Sequence, residues 1–419
     1  MPINKLKLLL SDRFIRNMSW LGVAELVNRI FRLATTVTLA RTFSPYDYGM
    51  VSVIYTTFDF ATVFSLRAGI GAKIIQAKEE DLKIVCNTAY WLNWILFSSI
   101  FIIQCAAAYP IAQFYGNKQL IWPICALALI YLMFPVFLIQ ATLIERENRL
   151  KITALCNATQ AILSNIIIVV LALLGLGVWA VVLSMVFTYP VWIVISYINH
   201  SWRPPNFFTL ERWQEITSFG SKLLGVDLLA KLRMNLDYLL VGRFIGIEAL
   251  GVYFFAFNAG LGISQSVVYS ITLALYPHLC AAREDGNQLK KQFFSSLKTI
   301  SLIIVPLVIL QSSLAPFYVP IIFGQKWVPA IPILIIICLS ALPLTLSRAT
   351  TQLLQAVDKS HIDLYWNVIF TVIFAISLLL AVQRGILEVA VVVLITQVVT
   401  IPIFAIWVIR YVFAKKRDS

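Results

Sequence analysis

The chain contains 419 residues, of which 60% are hydrophobic and only 13% are charged, and it includes 27 phenylalanines and 11 tryptophans. This composition excludes an ordinary soluble protein, in which about a quarter of the residues are charged. The formal net charge of +13 suggests a nucleic-acid partner at first sight. Membrane topology explains the distribution of the basic residues better, and no nucleic-acid partner is expected.

Apolar runs of membrane-spanning length recur along the whole sequence. A helix needs about 20 mostly apolar residues to cross the hydrocarbon core of a bilayer, and short polar segments separate the runs. The sequence therefore predicts an all-α integral membrane protein. Its twelve predicted spans lie at 18–40, 48–71, 84–108, 120–143, 152–174, 177–198, 219–242, 250–276, 295–317, 328–352, 364–383 and 386–410.

The lysines and arginines fall mainly on one side of the predicted spans. If the N-terminus is cytoplasmic, the large majority of the basic loop residues lie in inner segments, which is a strong positive-inside signature. Both termini are then predicted to be cytoplasmic. The basic residues left in the outer loops are Arg41, Lys118, Arg243, Lys326 and Arg384.

Segments of the first half of the chain recur in the second half at a nearly constant spacing. Residues 39–51 (LARTFSPYDYGMV) match residues 241–253 (VGRFIGIEALGVY), with Gly49 aligned to Gly251. Because this spacing encloses six predicted spans, the two copies have the same orientation and are related by an axis along the membrane normal. The predicted organisation is a six-helix lobe, an amphipathic cytoplasmic linker and a second six-helix lobe, at 1–198, 199–218 and 219–419.

Charged side chains lie inside the first predicted span of each lobe. A charge at that depth is expensive, so it is expected to face water or a partner. In the first span, Glu25, Arg29 and Arg32 follow the i, i+4, i+7 spacing and share one face. Together with the charges of the seventh span, they predict a charged cleft between the two lobes.

In the seventh span, Asp227 and Lys231 are one helical turn apart, and so are Arg233 and Asp237. Lys231 lies near the predicted midplane of the membrane and is expected to face the cleft. Arg233 and Asp237 are expected to form a buried structural pair instead, because two pairs on different faces do not point into one cavity.

Within the spans, cationic groups outnumber acidic groups. This balance favours a trap for an anion, and guanidinium groups suit phosphate especially well; ion pairs that hold helices together are the structural alternative. The candidate substrate-binding residues are Arg29, Arg32, Arg67, Lys231, Asn258 and Arg348. The candidate residues for coupling to a proton or sodium ion are Glu25, Asp59 and Asp227.

Enzyme signatures are absent from the sequence, which contains no GxxxxGK[ST], HExxH or GxSxG motif. The six cysteines show no CxxC spacing and lie mostly within predicted spans, where they are expected to act as small apolar residues. The sequence therefore predicts a transporter that is not an enzyme and has no cofactor or metal site.

Three segments resemble a known family. LARTFSPYDYGMV at 39–51, AGIGAKIIQAKEEDL at 68–82 and YWLNW at 90–94 are similar to the polysaccharide-exporting flippases of the multidrug/oligosaccharidyl-lipid/polysaccharide (MOP) exporter superfamily. The similarity is closest to the Wzx-like flippases for lipopolysaccharide, O-antigen and exopolysaccharide repeat units. One departure is Leu66-Arg67, which stands where the family usually has an acidic residue, so no acidic role carries over to this position.

The resemblance implies a MATE-like protein of the inner membrane, with two lobes and a V-shaped cleft lined mainly by helices one, two, seven, eight and ten. Its implied substrate is an undecaprenyl-pyrophosphate-linked oligosaccharide, moved to the outer leaflet by alternating access. Membrane lipids and polysaccharide assembly proteins are the expected partners. The aromatic residues Tyr90, Trp91 and Trp94 are candidates for stacking on sugars or for anchoring at the membrane interface.

Other functions remain open at this point. A drug or cation antiporter of the same superfamily would need an acidic cavity, and the predicted one is basic. A membrane glycan polymerase would need a large outer loop, and the predicted outer loops are short. A purely structural scaffold gives no reason for charges inside the spans.

Overall fold

The computed structural model describes residues 31–414, and this part of the chain is helical, without strands. A first helix, α1, covers 31–42. The helices that follow are α2 (Pro45–Val63), α3 (Arg67–Gln76), α4 (Glu79–Phe114), α5 (Ile121–Arg146), α6 (Leu150–Leu173), α7 (Val178–Thr188), α8 (Pro190–Asn199), α9 (Trp213–Phe244), α10 (Ile247–Cys280), α11 (Gly286–Tyr318), α12 (Ile331–Leu339), α13 (Ala341–Ala356), α14 (Ser360–Ala381) and α15 (Ile386–Ala414).

Eight helical segments of the described chain are long and apolar enough to cross a membrane. Each coincides with a span predicted from the sequence, so the chain is a multi-pass membrane protein. Several are longer than the ~30 Å hydrocarbon core requires. The eight segments are Glu79–Phe114, Lys118–Arg146, Leu150–Leu173, Val178–Asn199, Gly286–Phe323, Gln325–Ala356, Ser360–Ala381 and Ile386–Phe413.

The other predicted spans are the first two of each predicted lobe. The run 18–40 lies partly outside the described residues. The run 48–71 is interrupted, because α2 ends at Val63 and Leu66 adopts a left-handed φ of 51° before α3 begins. The runs 219–242 and 250–276 lie within α9 and α10, and α9 contains the charged residues of the predicted seventh span. The total of twelve spans therefore stays a prediction.

The chain forms two compact units. Within the described residues, the first unit contains 31–44 and 54–228, and the second contains 45–53 and 229–414. Helices α2 and α9 each contribute residues to both units. The predicted division into two lobes joined by the linker 199–218 stays a prediction.

The core of the first unit is built on aromatic rings between α4 and α5. Tyr131 is fully buried, and its ring stacks on Phe58 with centroids 5.2 Å apart. A buried hydroxyl needs a partner, and Tyr131 finds one in the side-chain oxygen of Gln104 at 2.9 Å. Gln104 in turn donates to the carbonyl of Ile124 at 3.0 Å, so this buried polar network is paired and ties α4 to α5.

The predicted linker at 199–218 packs against the first half of α4. The indole nitrogen of Trp91 donates to the carbonyl oxygen of Phe207 at 2.8 Å, and the hydroxyl of Thr88 donates to the carbonyl oxygen of Glu211 at 2.7 Å. The described linker backbone is irregular up to the start of α9. These bonds from α4 therefore satisfy linker carbonyls that have no helical partner.

Aromatic rings strengthen this contact. The ring of Tyr90 lies 5.8 Å from that of Trp202, and the ring of Trp91 lies 5.4 Å from that of Phe208. The sequence offered Tyr90 and Trp91 for sugar stacking, but in the structure their contacts are with the linker. Sugar stacking and anchoring at the membrane interface both stay predictions for these residues.

An ion cluster secures the C-terminal end of the linker. The Arg212 guanidinium donates to Asp81 at 2.8 Å and to Glu215 at 2.8 and 3.0 Å. The hydrogen bond from Arg212 holds the pKa of the Glu215 carboxyl below its ordinary value, and Lys73 acts in the same direction. Exposed ion pairs contribute little individually, typically less than about 1 kcal/mol, so the cluster orients the linker more than it stabilises the unit.

Within the second unit, α2 and α10 approach each other at two glycines. A Cβ atom added to Gly49 would collide with the backbone of Ile247, and one added to Gly251 would collide with the carbonyl of Pro45. Small residues allow such close helix contacts in membranes. Tyr48 completes the contact, because its ring meets that of Phe255 on α10 with centroids 5.9 Å apart. The two glycines that the sequence repeat aligns therefore lie at one helix crossing.

We predict that Gly251→Ala destabilises the protein by roughly 1–3 kcal/mol, because the new methyl group overlaps a backbone carbonyl that is held in a helix. The measurement is the temperature at which purified protein in detergent loses its monodisperse state.

Gly262→Ala on the same helix is the matched control, since among the described residues no heavy atom lies within 4 Å of its added Cβ. It should be neutral or stabilising, by up to about 1 kcal/mol. Equal melting temperatures for Gly251→Ala and the unaltered protein would contradict the close crossing.

Candidate functional site

The charges predicted in the first span lie at the edge of the described chain. Glu25 and Arg29 are outside the described residues. Arg32 belongs to α1 and is exposed, and its carbonyl accepts a hydrogen bond from the Thr36 hydroxyl at 2.8 Å. The shared face of Glu25, Arg29 and Arg32 therefore stays a prediction.

The remaining candidates are distributed over several helices. Asp59 is half-buried in α2, and Lys231 is half-buried in α9. Asp227 and Asn258 are exposed, and the Asn258 amide donates to the carbonyl of Phe254 in its own helix at 2.8 Å. Arg67 is the first residue of α3, but its side chain lies outside what the structure describes.

The second unit contains a cavity of about 480 Å³, and Arg348 is the predicted substrate-binding residue that lines it. Helices α9, α10, α12, α13, α14 and α15 form its walls. Its volume is within the ~300–1,000 Å³ that is usual for small-ligand sites. The charged and polar residues of the wall are Arg233, Asp237, Tyr253, Ser340, Ser347, Arg348, Thr351, Gln352, Asp363, Asn367 and Gln397.

A hydrogen-bonded chain crosses one side of this cavity. The Arg233 guanidinium donates to the Asn367 side-chain oxygen. The Asn367 amide donates to Asp363 at 3.1 Å, and the Thr351 hydroxyl donates to the other Asp363 oxygen at 2.8 Å. Asn367 therefore links a guanidinium to a carboxylate, and the chain of bonds ties α9, α13 and α14 together.

Asp237 is held separately from this chain. It is 5% exposed and accepts hydrogen bonds from the Tyr253 hydroxyl at 2.9 Å and from the backbone nitrogen of Tyr238 at 3.0 Å. The expected pair of Arg233 with Asp237 was therefore wrong. Arg233 instead reaches across to α14, where Asn367 offers an acceptor and Asp363 a nearby negative charge.

Sequence reasoning missed Asp363 because the predicted span began at residue 364, and it passed over Asn367, which lies inside that span. Helix α14 begins at Ser360, about one turn earlier, so Asp363 belongs to the helix rather than to a loop. A signal was available in the i, i+4 spacing of Asp363 and Asn367. A second was the polar face formed by Arg348 and Gln352 on α13.

The apolar part of the wall combines aliphatic side chains with four aromatic ones. Phe257, Trp366, Phe370 and Phe374 line the cavity. The ring of Trp366 is nearly parallel to that of Phe404, with centroids 4.2 Å apart, which holds the indole in position. Among the described residues, no group of three or more histidine, cysteine, aspartate or glutamate side chains is arranged to hold a metal ion.

Residues 38–332 match the family described as "Polysaccharide biosynthesis protein". The match covers well over half of the chain. The chain belongs to this family. The family shown by this match agrees with the resemblance drawn from residues 39–51, 68–82 and 90–94.

Relatives within the family come from several bacteria. The chain is 26% identical over 357 residues to the teichuronic acid biosynthesis protein TuaB of Bacillus subtilis, and the alignment covers 84% of this chain and 74% of TuaB. It is 24% identical over 390 residues to the lipopolysaccharide biosynthesis protein WzxC of Escherichia coli, and the alignment covers 90% of this chain and 76% of WzxC.

Solved structures show the same fold at low sequence identity. The lipid II flippase MurJ in an inward closed conformation matches with a TM-score of 0.78 and 13% identity, over 94% of this chain and 90% of MurJ. An inward-facing multidrug resistance MATE family transporter of the MOP superfamily matches with a TM-score of 0.74 and 15% identity, over 94% of this chain and 96% of the transporter. This chain therefore has the MATE-like fold that its sequence predicts.

We predict that Asn367→Leu destabilises the protein by roughly 1–3 kcal/mol, because it leaves the Arg233 guanidinium and the Asp363 carboxylate without their shared partner. Thermal unfolding in detergent measures the loss.

Asn258→Leu is the control, since that exposed amide bonds only within its own helix, and it should change the melting temperature little. The triple variant Arg233→Met, Asp363→Leu and Asn367→Leu removes both charges as well as the amide. If this triple variant is as unstable as Asn367→Leu alone, unpaired charge is not the cause of the instability.

Proposed function

We propose that this protein is a secondary-active flippase that moves undecaprenyl-pyrophosphate-linked oligosaccharide repeat units across the inner membrane during polysaccharide or lipopolysaccharide biosynthesis. The observation that carries the proposal is a charged cavity among membrane helices in a chain of the polysaccharide biosynthesis family. A chain of this kind needs polar, wet surfaces inside the membrane to carry a polar head group. Both termini are proposed to be cytoplasmic.

The names of the relatives support the substrate class. They include a teichuronic acid biosynthesis protein, a lipopolysaccharide biosynthesis protein and a succinoglycan biosynthesis transport protein. The fold is shared with a lipid II flippase. Each name concerns a saccharide polymer or its lipid-linked precursor, which is the class of substrate proposed here. Polysaccharide assembly proteins are the proposed protein partners.

The proposed transport mechanism is alternating access. The substrate-binding residues are proposed to be the ones predicted from the sequence. Arg29, Arg32 and Lys231 bind the pyrophosphate or acidic sugars, and Arg67, Asn258 and Arg348 bind further along the path. Guanidinium groups recognise phosphate oxygens with paired hydrogen bonds. A MATE-type drug or cation antiporter is the second candidate, since that fold is also matched. The family match favours the saccharide.

We predict that Arg29→Ala combined with Arg32→Ala reduces export of the repeat unit at least about tenfold, since charge-assisted bonds contribute roughly 1.5–3 kcal/mol each. Surface polysaccharide and accumulated lipid-linked intermediate would be measured in a flippase-deficient strain that carries the variant.

Arg384→Ala, at an exposed loop position, is the matched control and should retain export. Full export by the double variant at normal protein abundance would refute the proposed role of these two arginines.

The coupling ion is proposed to bind at Glu25, Asp59 or Asp227, and Asp59 is the half-buried one within the described chain. We predict that Asp59→Asn removes the dependence of transport on a proton or sodium gradient, because the amide neither ionises nor takes up a proton near neutral pH.

Transport into proteoliposomes with imposed gradients measures this dependence. Asp358→Asn, at an exposed site, is the control, and its transport should still depend on the gradient. If Asp59→Asn responds to both gradients as the unaltered protein does, Asp59 is not the coupling residue.

A further inference from the structure

The cavity of the second unit is balanced in charge. Its wall contains two guanidinium groups, Arg233 and Arg348, and two carboxylates, Asp237 and Asp363. A free cation that entered would approach both guanidinium groups, and an anion such as pyrophosphate would approach both carboxylates. In a medium of low dielectric constant such like-charge contacts are expensive. The wall therefore favours a ligand without net charge.

The wall also offers hydrogen-bonding groups of both kinds. Gln397 is 8% exposed, and its side-chain oxygen is buried without a hydrogen-bond partner among the described residues. A buried unpaired oxygen is unfavourable, so turning the Gln397 amide toward a hydroxyl donor in the cavity that it lines would stabilise it. Ionised carboxylates accept about four hydrogen bonds each, and Asp363 receives two side-chain bonds in the structure. Arginine, by contrast, only donates.

A hydroxyl group meets both demands, since it donates one hydrogen bond and accepts others. A ring that bears several hydroxyls satisfies a wall of mixed donors and acceptors without bringing a charge. The cavity, at about 480 Å³, has room for such a ring. Trp366, held by stacking on Phe404, adds an aromatic surface next to the polar groups.

We propose that this cavity binds one neutral, hydroxyl-rich sugar ring of the transported saccharide, with the side-chain amide of Gln397, on the cavity wall, hydrogen-bonding to a sugar hydroxyl. The inference rests on the proposed function and adds a division of labour to it. The charge-balanced cavity of the second unit recognises the sugar, whereas the pyrophosphate is bound elsewhere by the cationic candidates. Arg348 then belongs to the sugar subsite rather than to the phosphate site.

Binding is tested directly by saturation-transfer NMR on the full chain in lipid nanodiscs. The probes are glucose, galactose, mannose and N-acetylglucosamine, each at millimolar concentration. Saturation transfer to at least one of these sugars is expected for the unaltered protein, and Gln397→Leu should weaken its binding about tenfold. Because the ligand is uncharged, added salt should not weaken it.

Gln397→Leu removes an unpaired polar atom and keeps a similar shape, so the fold should tolerate it. Gln352→Leu, on another wall of the cavity, is the second variant and should also weaken sugar binding. Gln383→Leu, at an exposed site outside the cavity wall, is the matched control and should bind as the unaltered protein does. The melting temperature of each variant verifies its folding.

Several results would overturn the sugar subsite. The first is that none of the four sugars shows saturation transfer with the unaltered protein. The second is that Gln397→Leu and Gln352→Leu bind the sugar as tightly as the Gln383→Leu control. The third is that inorganic pyrophosphate or sodium, at the same concentration as the sugar, displaces it. The export assay separates this outcome from failure of the proposed function. If the unaltered chain exports the repeat unit but the variants bind sugar as it does, only the sugar subsite is refuted. If the unaltered chain binds sugar but does not export the repeat unit, the proposed flippase function is refuted.

Discussion

The second unit depends on how charge is accommodated between its helices. A guanidinium and a carboxylate in such surroundings are stable only when each has a partner. Here a single amide, that of Asn367, accepts from Arg233 and donates to Asp363. The amide joins α9 to α14, and the Thr351 hydroxyl joins α13 to the same carboxylate, so one set of bonds connects three helices at the wall of the polar cavity.

The cavity has a consequence for selectivity. A site built only of arginines would select a ligand mainly by its negative charge. A wall with equal numbers of opposite charges attracts no ion strongly and leaves hydrogen bonding to discriminate between ligands. The proposed sugar subsite gains from this arrangement, because hydroxyl groups are exchanged with water at modest cost.

Other parts of the molecule use different physical means to hold their elements. The crossing of α2 and α10 is held by backbone proximity at Gly49 and Gly251, where the absence of side chains is the essential property. The linker is held by indole and hydroxyl donors on α4 that satisfy its irregular backbone. Both arrangements limit local movement without burying any further charge.

Hydropathy and loop charge were enough to predict an all-helical membrane protein, and eight of the predicted spans coincide with helices of spanning length. The length and composition of a spanning helix are local properties, which the bilayer imposes on each segment separately. Short motifs at 39–51 and 68–82 were enough to indicate the family.

The partners of charged side chains were decided only by the tertiary structure. On helix α9 alone, Arg233 has Asp237 one turn away and a pair is the natural expectation. That pair does not form because α14 brings Asn367 and Asp363 within reach, and the relevant positions are more than a hundred residues apart in the chain. Spacing within one helix specifies which residues share a face, whereas the neighbour that covers this face is determined by how the helices pack.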